Sequence, residues 1–302
     1  MPRNLSASIR QRLLTLAQQT RQDFGLILTR YALERLLYRL GQSRHANLFV
    51  LKGAMLFQAW TAHVHRPTRD VDFLGHGEYS TDRFKKIFEE IFSQAFEETD
   101  AVVFLPQTIE AMTMKDEEEY PGLRISAEAR LGNVRIPILI DIGFGDAVTP
   151  APVMIDYPTL LPLPAPHLAT YPMESVVSEK FEAMVRHGIA NSRMKDFFDV
   201  WVLSRDFAFA GEVLAAAVQA TFERRKATIP DAVPFPLTSE FYADPAKNAQ
   251  WQAFIKKNKL PGTDLAQTVA AISVFLLPVV QAIRTEVLFA QQWEAGGPWS
   301  DQ

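Results

Sequence analysis

The chain has 302 residues, no cysteine, 22% charged residues and a formal net charge of −4. That length predicts roughly two domains, the missing thiols exclude disulfides, thiolate metal sites and cysteine nucleophiles, and the acidic excess argues against a generally basic nucleic-acid-binding surface. No apolar run approaches the ~18 residues of a membrane span, and Met1-Pro2-Arg3-Asn4-Leu5 has no apolar signal core, so a cytoplasmic protein without a membrane partner is expected.

Helical spacing predicts a first helix over 5–22 and a second from Phe24 to Leu40, ending near Gly41. Leu48–Lys52 reads as a strand that passes at Gly53 into a short helix reaching Trp60. A strand follows at Asp70–Leu74, then a helix over Thr81–Phe96 built on Phe84, Ile87, Phe88, Ile91 and Phe92. Ala101–Leu105 reads as a strand, and Lys115-Asp116-Glu117-Glu118-Glu119 as a solvated acidic turn. Leu123–Leu131 and Val134–Ile142 alternate as strands around the hairpin signal Gly132-Asn133, with Pro137 marking an edge or bulge. The prolines between Pro150 and Pro172 read as an extended connection between domains. Helices are expected over 173–187, 193–205, 211–225, 247–258 and 264–288, the last broken by Pro278. The basic clusters Arg186/His187/Arg193/Lys195, Arg224-Arg225-Lys226 and Lys256/Lys257/Lys259 read as solvated faces, and His63 and His65 as surface-loop residues.

The most informative stretch is Arg66-Pro67-Thr68-Arg69-Asp70-Val71-Asp72-Phe73. Strand alternation puts Val71 and Phe73 on one face and both aspartates on the other. Two like charges on one face repel, and a divalent cation removes that cost. Mg²⁺ takes one or two carboxylates plus substrate phosphates, so an Asp-x-Asp strand fits a metal-dependent phosphoryl-transfer site, although such pairs also occur on solvated edges. Asp141 interrupts an apolar run between Ile140 and Ile142. It is either a strand-terminal residue starting a turn at Gly143 or a third carboxylate beside the pair. Lys52-Gly53-Ala54 sits at a strand-to-helix junction, where Gly53 either makes a tight turn or lets backbone approach a phosphate. Lys180 reads as a triphosphate contact or as a surface lysine covering apolar neighbours. Asp196 and Asp199 share a helix face, and Arg193 is placed to pair with Asp196. No HExxH, GxSxG or GxxxxGK[ST] element is present.

In order, Leu51-Lys52-Gly53-Ala54, the Arg66–Phe73 run, Asp141-Ile142-Gly143-Phe144-Gly145-Asp146, Glu179-Lys180 and Ser192-Arg193-Met194-Lys195-Asp196-Phe197-Phe198-Asp199 resemble the motifs of AbiEii/AbiGii-type nucleotidyltransferase toxins. These are a branch of the DNA polymerase β-like nucleotidyltransferase superfamily. The matching stretch runs from about Phe49 to Leu203. The resemblance implies an α+β fold. A nucleotidyltransferase-type mixed sheet flanked by helices occupies 1–165, together with the N-terminal helices, and a helical C-terminal lobe occupies 166–302. It implies an enzyme that uses Mg²⁺ to transfer a nucleotide from an NTP to RNA, the tRNA acceptor end above all, and so blocks translation. It also implies a cognate antitoxin and a role in phage defence. Carried over by residue, Asp70, Asp72 and Asp141 would hold metal. Asp70, Asp72, Asp141, Lys180 and Asp196 or Asp199 would be catalytic. Lys52, Gly53, Arg66, Thr68, Arg69, Arg193 and Lys195 would contact the nucleotide. The chain departs from the superfamily's Gly-Ser or Gly-Gly at Gly53-Ala54, which removes a hydroxyl contact to phosphate. The alternatives are a catalytically silent nucleotide- or RNA-binding protein on the same fold, and transfer to a protein acceptor.

Overall fold

Along 71–73 and 138–144, buried residues alternate with half-buried ones. That period-2 pattern presses one face of each strand into a core and leaves the other face partly open. The computed structural model describes residues 5–61, 65–96, 100–114 and 122–301, so the expected acidic turn at 115–119 and His63 lie outside the described residues. The chain divides into two compact units, one of Met1–Gly145 with Val153–Thr170, the other of Asp146–Pro152 with Tyr171–Gln302.

The first unit begins with α1 (Leu5–Thr20) and α2 (Phe24–Gly41). Asp23 caps α2, its carboxylate accepting from the Leu26 N–H at 2.9 Å. β1 (Phe49–Lys52) passes through a single 3₁₀ turn at Gly53–Met55 into α3 (Leu56–Trp60). Then come β2 (Val71–Gly75), α4 (Thr81–Phe92), β3 (Val102–Met114), β4 (Gly122–Leu131), β5 (Val134–Phe144), β6 (Val153–Asp156) and β7 (His167–Thr170). The strands form a seven-stranded sheet in the order β3-β4-β5-β2-β1-β7-β6. β2–β5 and β1–β7 are parallel, and the other neighbours are antiparallel. The core is strongly aromatic: Phe49 lies 5.4 Å from Phe73, 5.8 Å from Phe84 and 5.5 Å from Phe88, ring centre to ring centre, mostly edge to face.

The proline-rich segment is more than a connection. Its prolines fall outside 153–156 and 167–170, and these two stretches add β6 and β7 to the main sheet. Residues Val153–Thr170 therefore belong with the first unit, beyond the boundary expected at 165/166, while Asp146–Pro152 groups with the second. Pro137 sits in a locally open part of β5. It faces Glu128 of β4, whereas β2 joins β5 only from Ile140 onward, so no ladder hydrogen bond is lost there.

The second unit contains α5 (Met173–His187), α6 (Met194–Asp206), α7 (Gly211–Arg224), α8 (Ser239–Ala243), α9 (Pro245–Asn258) and α10 (Leu265–Arg284). It also has a small sheet of β8 (Phe209–Ala210), β9 (Gln292–Trp293) and β10 (Trp299–Ser300). Contrary to the sequence expectation, α10 is by length and composition apolar enough to cross a membrane. Its apolar face is packed within this unit: Leu265, Val269, Ile272, Phe275 and Leu276 are fully buried, and Phe275 stacks on Trp299 at 5.8 Å. Pro278 does not break it. The carbonyl four residues back belongs to Val274, 53% exposed, so the oxygen that loses its donor lies on the helix's open side. The expected basic face at 224–226 is also revised: Arg225 is internal, donating to Glu182 at 2.6 Å and Asp146 at 3.2 Å.

Candidate active site

Strand register builds one row of side chains across the first unit's sheet. Lys52 pairs with Asp72 between β1 and β2, Asp72 with Asp141 between β2 and β5, and Asp141 with Arg124 between β5 and β4. Their sequence neighbours Val71, Phe73, Ile140, Ile142, Leu123 and Ile125 are all fully buried. The row therefore occupies the opposite, half-buried face, with charges in the order plus, minus, minus, plus. Asp141 is thus a mid-strand residue, since β5 continues to Phe144, and it stands directly beside Asp72.

Arg124 was not singled out from sequence. It grips Asp141 with both arms of its guanidinium, Nε to Oδ1 at 2.7 Å and Nη2 to Oδ2 at 2.6 Å. These hydrogen bonds hold the Arg124 pKa above its ordinary value. Partial burial opposes them, and the charges of Asp141, Asp70 and Asp72 add to them. One cation thus feels all three carboxylates. The available signal was its place between Leu123 and Ile125 on an alternating strand.

Asp70 lies just before β2, and its Oδ1 accepts from the Thr68 hydroxyl. Arg66 and Thr68 are half-buried and Arg69 is exposed. Gly53 has φ +77°, and a Cβ built on it would lie 2.0 Å from Asp72 Oδ2 and 2.7 Å from Asp72 Cγ. The glycine is required because the Asp72 carboxylate lies directly over its Cα, a close approach made by a side chain rather than by a phosphate. His65 is 7% exposed, in contrast to the surface position expected of it, and its ring stacks on Phe57 at 3.9 Å and 6°.

The remaining motif residues form a second constellation, inside the second unit. Lys180 of α5 donates to Asp196 at 2.8 Å and to Asp199 at 2.7 Å, both on α6 and both essentially unexposed. Arg193 reaches Asp196 Oδ2 at 2.6 Å. Burial works against ionisation of Asp196, but Lys180 and Arg193 outweigh it and hold the carboxyl below the usual range. Glu179 points elsewhere, 3.9 Å from Arg225, and Lys195 is exposed.

Among the described residues, no three carboxylate or imidazole groups form a ready-made metal-ligand set, and both oxygens of Asp141 are engaged by Arg124. The donor chemistry nevertheless suits Mg²⁺. That ion is held by one or two carboxylates plus substrate phosphates rather than by an all-protein cage, and Asp70 and Asp72 are such a pair.

Two solved structures share this fold. One is JHP933 from Helicobacter pylori, 13% identical, covering 86% of this chain and 94% of that one with a TM-score of 0.50. The other is described as a candidate nucleotidyltransferase from H. pylori, also 13% identical, covering 86% and 96% with a TM-score of 0.51. No curated protein matches the chain. The family model described as nucleotidyl transferase AbiEii toxin, type IV toxin–antitoxin system, matches residues 35–274. That span takes in both β2 with its carboxylates and the Lys180 cluster, and the chain accordingly belongs to the AbiEii family of nucleotidyltransferase toxins.

Proposed function

We propose that this toxin transfers a nucleotide from an NTP to an RNA hydroxyl in an Mg²⁺-dependent reaction, with the tRNA acceptor end as the acceptor, and so blocks translation in the cytoplasm. A cognate antitoxin would restrain it, and phage defence is the setting the family suggests. The observation that carries the reading is the Asp70–Asp72 pair at the start of β2, with Gly53 cleared to admit Asp72. The acceptor oxygen would attack the α-phosphorus in line. The new O–P bond forms as the bond to the bridging oxygen breaks, pyrophosphate departs, and the hydroxyl proton passes to a carboxylate of the pair or to water. Asp70 and Asp72 would hold Mg²⁺, which when bound supplies charge neutralisation and lowers the pKa of an attacking hydroxyl. Asp141, clamped by Arg124, would keep Asp72 aimed. Lys52, next to Asp72 in register, would offer positive charge to the phosphates. A triphosphate contact by Lys180 would have to compete with two carboxylates within 2.8 Å.

The test is incubation of the purified protein with Mg²⁺, total tRNA and each α-labelled NTP in turn, beside Asp70→Ala. Label in RNA that disappears in the variant is the expected result. Label in polypeptide instead moves the acceptor to protein. Mg²⁺-dependent NTP binding without any transfer makes the protein a silent binder.

A further inference from the structure

A cavity of about 270 Å³ in the first unit is lined by residues that include Arg30, Gln58, Thr61, His65, Arg66 and Thr68. Among the described residues, its remaining lining is amide or apolar and includes no carboxylate. In a chain of net charge −4, a concave surface with two guanidinium groups and no acid is a local reversal of sign. Arg30 is the telling member. It makes no hydrogen bond or ion pair with any described residue, and burial, the largest influence on it, pulls its pKa down, while the nearby Tyr157 and Glu34 raise it. Arg30 is half-buried, and a guanidinium drawn partly out of water is costly to leave without a partner. Gln58 adds directionality: its Oε1 accepts from the Tyr157 hydroxyl at 3.1 Å, which leaves the amide N–H₂ as its donor end. The cavity also shares a loop with the carboxylate pair, because Thr68 both lines it and donates to Asp70.

We propose that this cavity binds a phosphate group, with Arg30 as its principal ligand, and holds that phosphate beside Asp70. The planar fork of Arg30 suits two phosphate oxygens, and the amide and hydroxyl donors suit the others. Two sources share this chemistry, a backbone phosphate of the RNA acceptor and a phosphate of the NTP. Only that choice of source rests on the nucleotidyl-transfer reading; the anion site does not.

The test measures binding, not turnover, of a single-stranded RNA oligonucleotide and of each NTP to the wild type, Arg30→Gln and Arg30→Lys. If the phosphate belongs to the acceptor, Arg30→Gln weakens RNA binding about tenfold and lowers its salt slope by about one, with NTP affinity unchanged. If it belongs to the donor, NTP affinity falls and RNA affinity holds. Arg30→Lys recovers part of either loss. Unchanged affinity for both ligands in a folded Arg30→Gln protein overturns the proposal. Should that variant not fold, the wild type decides. Inorganic phosphate must raise its melting temperature above that in chloride at matched ionic strength, and no rise overturns the site. Asp70→Ala tests the transfer reading separately, because it leaves the cavity's cations in place.

Discussion

Replacing Gly53 with alanine puts a single methyl group into the space that the Asp72 carboxylate occupies. The added Cβ would lie 2.0 Å from Asp72 Oδ2, and side-chain contacts below 3.0 Å essentially do not occur, so the oxygen must retreat by about 1 Å or more. Rotating the carboxylate does not suffice, since Asp72 Cβ itself would be 2.9 Å away; the β1–β2 pair has to yield as well. The φ of +77° adds about 1–2 kcal/mol for any residue with a Cβ. Together these cost about 2 kcal/mol, a melting-temperature loss of roughly 4–8 °C for a domain of this size. The functional loss should be far larger than that stability loss explains. A displacement of about 1 Å at a reacting centre costs on the order of 100-fold in rate. Thermal melts and kcat/KM for NTP turnover, measured well below the variant's melting temperature, check both numbers. A Gly53→Ala protein with wild-type kcat/KM would refute the claim that this glycine exists to seat Asp72.

Arg124→Ala should reduce kcat/KM at least tenfold while costing only about 1 kcal/mol of stability, because Arg124 is 43% exposed and water replaces part of the pair. Arg124→Lys should recover stability better than activity, since an ammonium cannot make the two-armed contact, and unchanged turnover in Arg124→Ala would remove it from the site. Lys180→Met leaves Asp196 and Asp199 buried without their shared cation and should destabilise by about 3–5 kcal/mol. A wild-type denaturation midpoint would contradict this, and loss of activity in that variant does not by itself assign Lys180 to substrate. Burial raises the Glu34 carboxyl from 4.5 to about 7, against the opposing pull of Arg35. A folded-state value above the unfolded one means stability that is full below about pH 4.5 and lost as pH rises through about 7. Denaturant titrations at pH 5 and pH 8 should show a decline in the wild type, of roughly 2.5 kcal/mol, that Glu34→Gln lacks; identical slopes in the two proteins would dismiss it.

Local signals carried much of this architecture. The alternation on either side of Gly132-Asn133 marks the β4–β5 hairpin, and the Asp-x-Asp strand is readable because the apolar Val71 and Phe73 alternate with the charged Asp70 and Asp72. The partner of Asp141 was not readable. Arg124 and Asp141 are seventeen residues apart in sequence, and only the register of β4 against β5 makes them opposite. β6 and β7 were hidden by flanking prolines that read as linker, and β8–β10 have two residues each, too few for a period. The helix at α10 is legible, but Pro278 reads as a break in it, whereas its position along the helix lets solvent take up the freed carbonyl. Arg30 carried no sequence signal, since a lone arginine on an amphipathic helix is ordinary until a cavity is found in front of it.

β2 is held on both sides, antiparallel by β1 and parallel by β5. A slip of one residue would drive Asp72 into the aromatic core and turn Phe73 out to water, an exchange that hydrophobic burial forbids. The placement of the proposed catalytic pair is therefore inherited from the greasy side of the strand. Molecules that have completed the sheet have the acidic pair in place, and those that have not cannot have it. Toxicity should then rise and fall with the folded fraction as a single transition, so that whatever delays closure of this sheet also delays the poison.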